Sequence, residues 1–94
     1  MRNIMAAFKI LLNRGVVNED WPKLPLDVKR LAHSYIEEKL MAAPLTFSRR
    51  LASKHPEYAN YRIAILGKKH RLLFKIIRGT ITILAIVPAK TYKQ

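Results

Sequence analysis

The chain contains no cysteine, only three glycines in 94 residues, and six acidic side chains against eighteen basic ones. Without cysteine there are no disulfides and no thiolate chemistry, and the usual ligands of a structural zinc site are missing. Neither a metal nor another cofactor is expected. Long apolar runs are also absent. The apolar opening from Ile4 to Leu12 is broken by Lys9 and leads into Asn13 and Arg14 instead of a small-residue cleavage site, which argues against a signal peptide. Nothing approaches the roughly 18 consecutive apolar residues of a membrane span. The expectation is a soluble, cytoplasmic protein with no membrane partner, folded as a single domain over residues 1–94. Half of its residues are hydrophobic, enough for one core at this length.

The shortage of acid is uneven. Residues 1–48 hold seven basic and five acidic side chains, for +2, whereas residues 49–94 hold eleven basic ones and a single acid, Glu57, for +10. A cationic half of this kind suits a polyphosphate partner, nucleic acid before an anionic membrane surface, although a merely solubilising surface would have the same composition.

Hydrophobic periodicity divides the chain into recognisable elements. Phe8 to Leu12 reads as a short strand, with Met5 an equally good start for the fold, and Asn13-Arg14-Gly15 turns the chain. Val16 to Leu24 has a loose helical spacing that Pro22 limits to a short helix. From Pro25 to Ala43 the spacing of Val28, Leu31, Ala32, Tyr35, Ile36, Lys39 and Leu40 predicts the main helix, with Pro25 and Asp27 in its first turn and Pro44 beyond its end. His33 falls among its polar positions and reads as solvated. Leu45 to Asn60 reads as a loop made basic by Arg49, Arg50, Lys54 and His55, either a solvated connector or a source of phosphate contacts.

The stretch from Tyr61 to Tyr92 is strand-like throughout. Tyr61 to Leu66 and His70 to Ile77 alternate around the turn Gly67-Lys68-Lys69, and Arg78-Gly79 links tightly into Thr80 to Val87, an apolar strand ended by Pro88. Period-2 geometry separates Leu72, Phe74 and Ile76 from Arg71 and Lys75. If Tyr61, Ile63 and Ile65 share the helix-facing side, Arg62 joins Arg71 on the open face, with Lys90 and Tyr92 near the adjacent strand end. The order β-α-α-β-β-β implies an α+β, two-layer fold, a mostly antiparallel sheet of about four strands with two N-terminal helices on one face.

The segment KLPLDVKRLAHSYIEEKL, a Pro-containing link, YRIAILGKKHRLLFKI, TITILAIV and a C-terminal tyrosine together resemble the RelE/ParE toxin superfamily of bacterial and archaeal toxin–antitoxin modules, on its RelE-like branch. The likeness runs from about Ala7 to Lys93 and rests on order and spacing. It implies a ribosome-dependent mRNA endoribonuclease that cuts by attack of a ribose 2′-hydroxyl on the adjacent phosphate, and a cognate antitoxin as partner, covering the apolar helical surface and a sheet edge. Matched residue by residue, the resemblance makes Arg62, Arg71, Lys90 and Tyr92 the catalytic candidates. Arg62 and Arg71 would stabilise the phosphorane, Lys90 would neutralise or protonate the leaving oxygen, and Tyr92 would stack on a base or hydrogen-bond near the nucleophile. The RNA-binding candidates are Arg49, Arg50, Lys54, Lys68, Lys69 and Lys75. Two departures stand out: Ala64 occupies a position that is often basic in the family, and Lys90 replaces an arginine. His70 falls on the helix-facing side by alternation, and neither it nor His55 matches a catalytic histidine of relatives. Two other readings are compatible with the same residues, a ParE-like inhibitor of DNA gyrase without nuclease chemistry and a non-catalytic nucleic-acid-binding module.

Overall fold

A computed structural model describes residues 8–51 and 56–91. Strand β1 (Lys9–Leu12) leads into helix α1, a π-helical turn over Val16–Asp20 followed by an α-helical turn over Trp21–Lys23. Helix α2 is α-helical over Leu26–Tyr35 and continues as a π-helical turn over Ile36–Leu40. Four strands follow: β2 (Arg49–Arg50), β3 (Tyr61–Leu66), β4 (His70–Ile77) and β5 (Thr80–Pro88). The α+β, two-layer expectation holds. The sheet has five strands where about four were expected, because Arg49–Arg50, read from the sequence as loop, pairs antiparallel with β3. A two-residue strand is too short to leave a period in the sequence.

The strand order is β1-β5-β4-β3-β2, with β1 parallel to β5 and every other pair antiparallel. Between β4 and β5 the two-residue link Arg78-Gly79 has φ of 51° and 80°. Positive φ at both central residues gives the type I′ turn whose twist matches that of the strands it joins. Gly67, which opens the β3–β4 turn, is also left-handed, at φ 61°, and a Cβ there would lie 3.2 Å from Leu31 Cδ2.

Each helix starts and stops for local reasons. The Asn13 side chain accepts a hydrogen bond from the Gly15 amide at 2.8 Å, while the Asn13 carbonyl accepts from Val16 N at 3.0 Å, so the turn after β1 feeds directly into α1. Pro25 precedes α2 and Asp27 lies in its first turn, where a carboxylate complements the helix dipole. Across the π-helical turn Met41 N reaches back to Ile36 O at 3.1 Å, and Pro44 follows.

Both helices cover one face of the sheet. The core joins Val16 and Leu24 of the α1 region and Ala32 and Leu40 of α2 to Ala64 and Leu66 of β3, Leu72 and Phe74 of β4, and Ile81, Ile83 and Ile86 of β5. The step from 81 and 83 to 86 breaks strict alternation. A register shift at Leu73/Phe74 pairs those residues with Ala85 and Ile83, leaving Leu84 as the extra residue of a bulge. Helix α1 covers the edge of β5 beyond the end of β1, where the Asp20 carboxylate accepts a hydrogen bond from the Ile86 amide at 3.0 Å.

Candidate nucleic-acid interface

Cross-strand register decides which side chains share the open face. β3 and β4 pair Leu66 with His70, Ala64 with Leu72 and Arg62 with Phe74, all on the helix side. Ile65 with Arg71, Ile63 with Leu73 and Tyr61 with Lys75 therefore lie on the other side. The expected grouping of Tyr61, Ile63 and Ile65 with the helix-facing residues of β4 is reversed. Arg62 and Arg71 consequently stand on opposite faces of the sheet. The physical reason is the turn: three residues between Leu66 and His70 pair even-numbered positions with even-numbered ones. The length of Gly67-Lys68-Lys69 was the signal that could have revealed this. His70, by contrast, lies on the helix side as its alternation suggested.

On the open face Arg71 pairs with Val87 of β5, and its Nη1 donates to the His70 carbonyl at 2.9 Å, which holds the guanidinium near the β4 N-terminus. At the same end of the sheet the Ala89 amide donates to the Lys69 carbonyl at 2.7 Å. That bond ties the short 3-10 turn Ala89–Thr91 to the β3–β4 turn and brings Lys90 towards Lys68 and Lys69. These three lysines, with His70, Pro88 and Ala89, line a concavity of about 450 Å³. Among the described residues the one ion pair joins His33 to Glu37, so no described carboxylate pairs with these lysines.

Four residues further along β4, about 13 Å at strand rise, Lys75 lies on the same face between Tyr61 and Thr82. Arg49 is also on this face as the cross-strand partner of Ile63, and Lys9 reaches it from β1 opposite Thr80. The Tyr58 and Tyr61 rings meet edge to face, with centroids 4.9 Å apart and planes at 63°. Sequence reasoning did not select Lys9 or the tyrosine pair, because only the folded sheet brings them beside Lys75. Between Arg71 and Lys75 this face carries Ile63 and Leu73, only 2% and 7% exposed, with Arg49 beside Ile63 and the half-exposed Ile65 beside Arg71.

Arg62 has another setting. Its Nε donates to Ser48 Oγ at 2.7 Å, and its Nη2 donates to the Ser48 carbonyl at 3.0 Å and to the Leu45 carbonyl at 3.5 Å. Ser48 Oγ in turn donates to the Pro44 carbonyl at 2.5 Å. Burial, and then the charge of its cross-strand neighbour Arg50, pulls the Arg62 pKa below the ordinary arginine value. Arg50 therefore also stands on the helix side. The same turn is held from α2, where Tyr35 donates its hydroxyl proton to the Phe47 carbonyl and Lys39 Nζ lies 5.8 Å and 5.1 Å from the Tyr35 and Phe47 ring centroids. Tyr92 and Lys54 lie outside the described residues, as does His55.

The open face thus collects Arg71, Lys75 and Arg49, with Lys68, Lys69 and Lys90 at its end. Among the described residues no group of His, Cys, Asp and Glu side chains could hold a metal ion, and no helix is long and apolar enough to cross a membrane, which leaves β-barrel spans unaddressed. Neither a protein-family model nor a curated protein matches the sequence. Among solved structures, a chain of the toxin–antitoxin complex RelBE2 of Mycobacterium tuberculosis superposes with a TM-score of 0.75 at 21% identity, covering 87% of this chain and 98% of that one. The two chains share one fold. In this sheet the open-face cations lie on the surface opposite the helices, and Arg62 does not stand among them.

Proposed function

We propose that the chain is the toxin of a toxin–antitoxin pair, and that it inhibits translation by cutting mRNA held on the ribosome. The observation that carries this reading is the sheet face opposite the helices, which sets Arg71, Arg49 and Lys75 beside the exposed Ile65 and an aromatic pair next to Lys75, with three lysines at its end. Such a face suits single-stranded RNA, whose phosphates meet lysine and arginine while its bases lie against apolar and aromatic side chains.

In the reaction the 2′-oxygen gives its proton to solvent water and bonds to the adjacent phosphorus, the bond from phosphorus to the 5′-oxygen breaks, and that oxygen takes up a proton. The products are a 2′,3′-cyclic phosphate and a 5′-hydroxyl. Arg71 would stabilise charge on the phosphorane by charge-assisted hydrogen bonds, and Lys90 would neutralise or protonate the departing oxygen. Tyr92 keeps the stacking role that the resemblance implies. Arg62 leaves this set because it lies on the helix side, bound to Ser48 and Leu45. His70 lines the same concavity as Lys90 and is the one imidazole among its described lining residues, which include no carboxylate, so charge stabilisation and substrate orientation would supply most of the acceleration.

A cognate antitoxin would cover the groove of about 370 Å³ between β1, α1 and α2, lined by Ile10, Leu12, Val16, Trp21, Ile36 and Met41. Exposed Leu11, Leu12 and Val17 border it, and β1 is an edge strand of the described sheet, where a partner strand could add.

Programmed ribosomes incubated with the purified protein test the activity. Cuts at defined codon positions are expected, falling about a hundredfold or more in Arg71→Ala. Among the described residues the Arg71 side chain bonds only the neighbouring His70 carbonyl, so that variant should melt with the wild type. Intact mRNA in the presence of folded wild-type protein would overturn the proposal.

A further inference from the structure

We propose that Arg62 is a positioning residue: from the helix side of the sheet it locks the turn before β2, and so holds β2 in the register that presents Arg49 to RNA. The residue types alone would put Arg62 at the reacting phosphate. Its geometry points elsewhere. Pairing with Phe74, which is fully buried, directs it towards the helices, and its Nε and Nη2 engage the backbone and side chain of the turn that ends at Ser48. Arg49 follows immediately.

β2 needs such a lock. It consists of two residues, held by the pairs Arg49↔Ile63 and Arg50↔Arg62 and by the Leu51 amide donating to the Tyr61 carbonyl at 3.0 Å. The second pair sets two cations side by side across the strands, which favours separation. A slip of one residue would exchange the faces of Arg49 and Arg50, moving Arg49 from the open face to the helix side. The bonds from Arg62 to the Ser48 and Leu45 carbonyls oppose both movements, and the Ser48 hydroxyl, bonded at once to Arg62 and to the Pro44 carbonyl, closes the turn. Arg62 thus offsets the repulsion that its own charge creates and sets the position of a neighbour that faces the other way.

The RNA contact assigned to Arg49 rests on the function proposed above, whereas the locking of β2 does not, and two measurements keep them apart. The first is amide hydrogen exchange on the full chain. Ser48→Ala removes the Nε acceptor without altering any charge and should expose the Leu51 amide to exchange, as should Arg62→Ala, while amides of the β4–β5 ladder stay protected. Unchanged Leu51 protection in both variants would overturn the proposal. The second is the affinity for a labelled 12-nucleotide oligouridylate, measured by fluorescence anisotropy over a range of salt. Arg49→Ala should lose about fivefold at 0.1 M salt, the share of one phosphate contact on a single strand. Ser48→Ala should show a loss of the same kind, and Ser48→Ala/Arg49→Ala should bind no worse than Arg49→Ala. Full additivity in that pair, or a silent Ser48→Ala beside a weakened Arg62→Ala, would overturn the proposal and return Arg62 to direct contact. Wild-type protein that binds no RNA would remove the proposed function and leave the Leu51 amide to decide the lock.

Discussion

Asp20 offers a test of how the helical layer is joined to the sheet. β1 ends where Leu12 meets Ile83, and the Asn13 amide extends that ladder by one bond to the Ile83 carbonyl. Past this point no strand among the described residues lies beside the β5 edge. The amide of Ile86, a core residue 1% exposed, donates to the Asp20 carboxylate instead. Replacing Asp20 with alanine removes a hydrogen bond to a charged group and leaves that amide without its partner, a loss of about 2 kcal/mol. For a domain of this size the midpoint should fall by roughly 8–16 °C. Asp20→Asn keeps an oxygen acceptor without the charge and should lose about half as much. Net charge is a confounding factor in a protein at +12, since deleting any acid raises it. Glu19→Ala controls for this, because Glu19 is an exposed acid in the same helical turn. Trp21, the only tryptophan, adjoins Asp20 and reports on the region by fluorescence during thermal or urea unfolding. Loss of stability in Asp20→Ala no greater than in Glu19→Ala would refute the reasoning, and α1 would then rest on its apolar contacts alone.

Further outcomes follow from other features. In the type I′ turn Arg78 carries φ of 51° without being glycine, so Arg78→Asn should raise stability by about 0.5–1 kcal/mol, whereas Gly79→Ala should lower it by about 1 kcal/mol; urea midpoints read both. Phe74→Ala empties the centre of the core and should cost about 3–5 kcal/mol, enough to leave a large unfolded fraction at 37 °C by circular dichroism. Burial holds the Tyr35 hydroxyl pKa above its usual value of about 10. The folded state then keeps a proton that the unfolded state releases, so this contribution is complete below pH 10 and is lost as pH rises through the folded pKa. Between pH 9 and pH 11 the urea midpoint of the wild type should fall further than that of Tyr35→Phe.

Much of the framework was legible from the sequence because its signals were redundant. β3 and β4 emerged at their observed limits, since alternation, a glycine turn and a two-residue link agree there. The main helix was visible in its apolar stripe, although Leu31, counted within that stripe, is 40% exposed, and the π-helical turn at Ile36–Leu40 shifts the phase of the last residues. What escaped was orientation. Period 2 sorts β3 into Tyr61, Ile63, Ile65 and Arg62, Ala64, Leu66, but each set mixes apolar with polar character, so composition alone does not say which one meets the helices. Placing Tyr61, Ile63 and Ile65 against the helices turned Arg62 outward, yet an arginine can also face inward at the edge of a core when backbone carbonyls receive its guanidinium, as those of Leu45 and Ser48 do. Among the candidate site residues, Arg71 and Lys75 could be assigned to a face from their own strand, whereas Arg49 depended on a two-residue pairing that leaves no pattern to read.

The parallel pairing of β1 with β5 also sets an order of events during synthesis. Lys9 meets Thr80, so the first strand made waits for the last. Until β5 has left the ribosome, β4 has one neighbouring strand instead of two and β1 lacks its described strand partner. Contacts spanning so much of the chain form slowly and late. Completion of the sheet, and with it the assembled cationic face, therefore waits until Thr80–Pro88 has emerged. A nascent chain still short of Thr80 carries the arginines and lysines of this surface without the scaffold that aligns them.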